Sequence, residues 1–109
     1  MAVTVEGSGT QTAVISTEHT LHTNTGAKVL VLIVDTVNMV NGDVLELRVT
    51  IKTLTSSTLA LLYYATYAHA QAEPVKVSLP APSPGFSWVA TLKQTAGTGR
   101  AFPWSVVSI

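Results

Sequence analysis

The alternation of apolar and polar positions is clearest between Lys28 and Leu54, KVLVLIVDTVNMVNGDVLELRVTIKTL. Val29 to Val34 is an unbroken run of Val, Leu and Ile, rich in the β-branched residues that suit a packed, pleated surface. After Asn41-Gly42-Asp43, the residues Leu45, Leu47, Val49 and Ile51 alternate with Glu46, Arg48, Thr50 and Lys52. A period of two places the first set on a core and the second toward solvent. Asn-Gly is a strong hairpin signal, because both central residues of a type I′ turn need positive φ. The pattern therefore predicts an antiparallel hairpin, with the first strand buried on both faces and the second on one. The rest of the chain adds strands to it.

Met1 to Thr12 has little apolar content beyond Val3 and Val5, and it breaks at Gly7-Ser8-Gly9. It reads either as an arm that orders on a neighbour or as an edge strand. The arm reading divides the chain into an arm, 1–12, and a domain, 13–109. Gln11 to Thr23 has the Thr, Val and Ile content of a strand, and Asn24-Thr25-Gly26 reads as a turn. Thr58 to Ala72 permits a helix capped by Ser57 or Thr58. Its three tyrosines and the turn before it favour a strand with Leu59, Leu61, Tyr63, Ala65, Tyr67 and His69 on one face. Val75 to Leu79 is a short strand, and Pro80 to Gly85 a proline-rich loop. Phe86 to Thr95 sets Trp88, Ala90 and Leu92 against Val89, Thr91 and Lys93. A turn at Ala96 to Gly99 leads to a last strand, Arg100 to Ile109. About eight antiparallel strands with closely spaced turns predict an all-β, single-domain, jelly-roll-like β-sandwich.

Composition narrows the role. The 109 residues suit one domain, and 6 basic against 6 acidic residues give a net charge of zero. That balance disfavours nucleic acid and anionic membranes as partners. Charged residues make up 11% where about 25% is usual, and mean hydropathy is +0.39. No apolar run approaches the roughly 18 residues of a membrane-spanning helix. A neutral, charge-poor surface favours association, so much of the outside is expected to be covered by other subunits. Without cysteine there are no disulfides or thiolate metal sites. The start lacks a secretory pattern, which places the product in the cytoplasm where it is made or in an assembly formed there.

No catalytic or cofactor chemistry is expected. His19 and His22 stand beside Glu18, but three positions apart on a strand they point to opposite faces, and further metal ligands are missing. His69, Asp35 and a serine could be assembled on paper into a triad, yet no nucleophile-elbow pattern occurs. Gly97-Thr98-Gly99-Arg100 fits neither phosphate-binding fingerprint and reads as a hairpin connection, with Arg100 free to meet a neighbouring subunit. Tyr63, Tyr64, Tyr67, Trp88 and Trp104 read best as core and subunit-contact rings, because Lys52, Lys76, Lys93 and Arg100 are too scattered to form a basic groove. Glu46, Arg48 and Lys52 read as a solvated face.

The segments VNGDVLELRV (Val40–Val49) and LKQTAGTGRAFPWSVVSI (Leu92–Ile109) resemble small β-rich virion proteins of tailed bacteriophages, of the capsid decoration or cement type. The resemblance implies a homo-oligomer, a trimer foremost, made in the host cytoplasm and bound to the major capsid protein or other virion proteins without catalysis. The expected contacts are Val3 and Val5 on the arm, Pro80, Pro82, Pro84 and Phe86 at the loop, and Arg100 and Trp104. A carbohydrate- or receptor-binding sandwich of a tail spike or fibre, using Trp88 or Tyr64, is the alternative.

Overall fold

The computed structural model describes residues 3–109, and among them all regular structure is strand. In chain order the strands are β1 (Thr4–Thr12), β2 (Glu18–Asn24), β3 (Ala27–Asp35), β4 (Val44–Ile51), β5 (Ala60–Ala68), β6 (Val75–Val77), β7 (Ala81–Pro84), β8 (Trp88–Ala96) and β9 (Ala101–Ser108). Sheet A runs β1-β9-β3-β6, with β7 also paired to β3, and sheet B runs β2-β8-β4-β5. Every pairing is antiparallel.

Taken as one interrupted strand, β6 and β7 complete a simple rule. The first strand pairs with the last, the second with the one before it, and so inward until β4 meets β5. One long hairpin has been rolled into two facing sheets, which is the jelly roll. The core lies between them. Leu30, Leu32 and Val34 of β3, with Phe102 and Val106 of β9, face Leu45, Leu47 and Val49 of β4 and Trp88, Ala90 and Leu92 of β8. Each set is spaced by two residues or multiples of two, as the pleat requires.

The Lys28–Leu54 hairpin is not formed. β3 and β4 lie in opposite sheets, and Thr36 to Asp43 carry the chain across the end of the sandwich. Gly42 has φ +100°, but Asn41 does not take positive φ, so the paired geometry of a type I′ turn is missing. Buried Thr36 and Met39 anchor the crossing, and the Thr36 hydroxyl donates to the Pro74 carbonyl at 2.6 Å. Two strands with one strongly apolar face can bury it against each other across a core as well as beside each other in a sheet. Here the first solution wins: β3 takes β9 and β6–β7 as its sheet partners, and β4 takes β8 and β5.

Three other readings change. Of the two readings of the N-terminal segment, Thr4–Thr12 takes the edge-strand one, as β1 laddered to β9; Met1 and Ala2 lie outside the described residues. The proline-rich loop contains strand β7, with Ala81 and Ser83 opposite Leu30 and Lys28 and with Pro82 and Pro84 at the alternate positions. An edge strand tolerates this, because the missing N–H groups fall on the side that has no neighbour. In β5 the register with β4 shifts at Leu62, so Tyr63, Ala65 and Tyr67 point inward while Leu61 turns out and is exposed. Burial, and the Tyr67 hydroxyl beside it, push the inward Tyr63 phenol up to about 12.

Candidate functional site

The two outer faces of the sandwich differ in kind. On sheet A, Val5 of β1, Val107 of β9 and Val31 of β3 form one cross-strand row, and Ser105, Ile33 and Val77 form the next. Val29 with Pro82 and Asp35 with Val75 extend this surface to either side. Val5, Val29, Val75 and Val77 are exposed large hydrophobics. Asp35 is the one charged residue in those rows, and its Oδ1 accepts the Val37 N–H at 3.0 Å. A shallow hollow of about 230 Å³ opens here, bounded by Ile33, Asp35, Val75, Pro103, Trp104 and Ser105.

On sheet B the rows are polar. Glu18, Lys93, Glu46 and Thr66 lie side by side, followed by Thr20, Thr91, Arg48 and Tyr64, then by Thr23, Val89, Thr50 and Leu61. Arg48 reaches Glu46 at 2.8 Å and Glu18 at 3.9 Å. Its guanidinium also lies 5.1 Å from the centroid of the Tyr64 ring. The Tyr64 hydroxyl donates to Glu46 at 3.1 Å and accepts from Thr66 at 2.8 Å.

At one end of the sandwich the crossovers meet at a buried polar knot. The Asp43 carboxylate, 1% exposed, accepts from Arg100 Nε at 2.8 Å, from the Val40 N–H at 3.0 Å and from the Thr98 N–H at 3.3 Å. Fully buried Gln94 donates to the carbonyls of Ala96 and Thr98 and accepts the Arg100 N–H. The β1–β2 turn joins through Ala13 N–H to Arg100 O and Ser16 N–H to Gln94 O, each at 2.8 Å. The β5–β6 turn joins through His69, held at φ 68°, which donates its N–H to Asp43 O and accepts the Gly42 N–H at Nδ1. A Cβ on Gly97 would overlap Asp43 Oδ1, and one on Gly99 would overlap the Ala13 carbonyl oxygen, so both positions require glycine. Burial alone would raise the Asp43 carboxyl. The Val40 N–H, Arg100 and the Thr98 N–H outweigh it and hold the group below the usual aspartate range.

Sequence reasoning missed this knot. Its signal was present in Asn41-Gly42-Asp43 and in Gln94 through Arg100, where polar side chains flank glycines at two turns.

The expected contact residues scatter. Val3 and Val5 are exposed along sheet A, and Pro80, Pro82 and Pro84 are exposed beside it. Phe86 is half-buried. Arg100 is committed to Asp43. Trp104 points between the sheets, packed beside Gly9 and with its ring 6.5 Å from that of His22. Trp88 is fully buried, so it offers no platform to a sugar. The histidines also need correction. A bulge at Leu21 shifts the register, so His19 lies opposite Leu92 and His22 opposite Ala90, both core-facing; the two histidines therefore share a face. Among the described residues no three His, Cys, Asp or Glu side chains gather as a metal site. His69 Nδ1 and Asp35 Oδ1 are each occupied by a backbone N–H, and they do not form a triad.

Compared with protein-family profiles, curated proteins and solved structures, the chain gives no match in any of the three.

Proposed function

We propose that the protein is a structural virion subunit, a capsid decoration protein that seats the outer face of sheet A on the shell of a phage head. The observation that carries this reading is the contrast between the two faces: valine, isoleucine and proline on A, interlocked charges on B. A face four strands wide and about nine residues long presents about 550 Å². Covered by a partner it would bury about 1,100 Å² in all, enough for a specific interface. Exposed apolar residues gathered on one face, here Val5, Val29, Val75 and Val77, mark interaction surfaces. The jelly roll is an architecture that viral shells use repeatedly, which agrees with this role by analogy. The overall shortage of charge, 11% of residues, points the same way.

Cosedimentation with heads of the encoding phage, stripped of this protein, tests the reading. Wild-type protein should pellet with the heads, Val77→Lys should lose most of that binding, and Thr20→Lys on sheet B should keep it. Failure of the wild type to bind, or loss confined to the sheet B variant, would sink the proposal.

A further inference from the structure

A two-sheet sandwich leaves four edges, and three of them are blunted against pairing with another strand. β1 contains Glu6, two glycines and a register shift between Val5 and Gly7. β2 contains Glu18 and the bulge at Leu21. The β6–β7 edge is interrupted and carries Lys76, Pro82 and Pro84, with Pro74 and Pro80 just outside. Short strands, bulges, charges and prolines are the devices that keep sheet edges from joining.

β5 has fewer of them. Its nine residues, ALLYYATYA, include no charge, no proline and no glycine, and among the described residues it pairs with β4 alone. One row of backbone N–H and C=O groups therefore faces outward. Leu61, Leu62 and Tyr64 are exposed along it, and Leu59 just before it. Beyond the shift at Leu62, Tyr63 to Ala68 runs in straight register.

We propose that β5 is a self-pairing edge, and that a second copy of this chain occupies it through antiparallel β5–β5 pairing about a two-fold axis at Ala65. Antiparallel partners directly opposite each other share a face. With the axis at Ala65, Tyr63 lies opposite Tyr67 of the other copy on the inner side. Tyr64 lies opposite Thr66 on the outer side, and the small Ala65 meets itself on the axis. Aromatic cross-strand pairs are favourable, and no charge is brought against its like in this stretch. Because the other three edges are blunted, β5 finds its complement in β5. Self-complementary pairing closes as a dimer, where pairing between unlike edges would build a ring or a filament. The product is one continuous eight-stranded sheet built from two B sheets. It leaves the outer faces of both A sheets free, so it is compatible with, and independent of, a partner on that face.

Light scattering on purified protein across a concentration series reads this directly, with hydrogen exchange locating the contact. Wild-type protein should reach twice the chain mass. Amides between Tyr63 and Tyr67 that point away from β4 should gain protection as the dimer forms. The variant Tyr64→Lys/Thr66→Lys places like charges opposite each other twice, and should weaken dimerisation roughly tenfold or more. Tyr64→Glu/Thr66→Lys places opposite charges there and should dimerise as well as wild type or better. Thermal unfolding of both variants confirms that the monomer fold is intact. A wild-type monomer up to about 1 mM, a trimer, or two double variants that dimerise alike would overturn the proposal.

Discussion

Arg100 and Arg48 carry the same guanidinium at almost the same exposure, 28% and 27% of the side chain, yet they serve different ends. Arg48 bonds Glu46, which is 18% exposed, and reaches Glu18, which is 47% exposed, on an open sheet face. Arg100 bonds Asp43, which is 1% exposed and holds two backbone N–H groups besides. The carboxylate, more than the arginine, sets the difference. A buried acceptor that loses its partner cannot turn to water, whereas an exposed one can. Asp43 also ties together crossovers that come from distant parts of the chain, while Arg48 links neighbours within one sheet.

The largest effect should follow from Asp43→Ala. It strands the N–H groups of Val40 and Thr98 together with Arg100, and denaturant unfolding should record a loss of about 3 kcal/mol. Gly97→Ala should cost about 2 kcal/mol by the same measurement, since the new Cβ meets Asp43 and the backbone there is at φ +91°.

Acid gives a graded version of the comparison. The folded-state pKa of Asp43 is depressed, so its contribution is complete above the unfolded value and is lost as pH falls through the folded one. Thermal midpoints should therefore drop below about pH 4, and the drop should shrink in Asp43→Asn. A remnant should persist from Glu6, whose carboxyl is lowered first by Lys28 and then by Ser108. Smallest of all, Arg48→Ala should cost at most about 1 kcal/mol, and less in high salt. An Arg48→Ala cost equal to that of Asp43→Ala would refute the importance of the buried acceptor.

Strand content was legible because it depends on local alternation. Leu45 to Ile51 and Trp88 to Leu92 show their inner faces plainly in the sequence, and those faces are the core. Partner choice was not legible. Nothing in Val29 to Val34 says that β9 will lie beside it, and Asn41-Gly42 carries the same local signal whether the chain returns along the same sheet or crosses to the other. Pro82 and Pro84 read as loop residues because their fitness for β7 depends on which side of the strand has a neighbour. Of the surfaces, the polar face of β4 could be read directly. The valine face could not, since it assembles residues from β1, β3, β6 and β9 that are far apart in the chain. The Asp43 knot was hidden for the same reason.

The strand order also sets a timetable for synthesis. β8 lies between β2 and β4, and β9 lies between β1 and β3, so the last two of the nine strands sit inside the two sheets. Until Trp88 to Ser108 have left the ribosome, β1 and β2 have no ladder to join and β3 lacks its partner β9. The valines of β3 must wait for β9 until that strand emerges. Such late, non-local closure is slow and prone to aggregation. A nascent chain stalled before Trp88 should be captured by chaperones and degraded by added protease, while one released past Ser108 should become resistant within a single cooperative step.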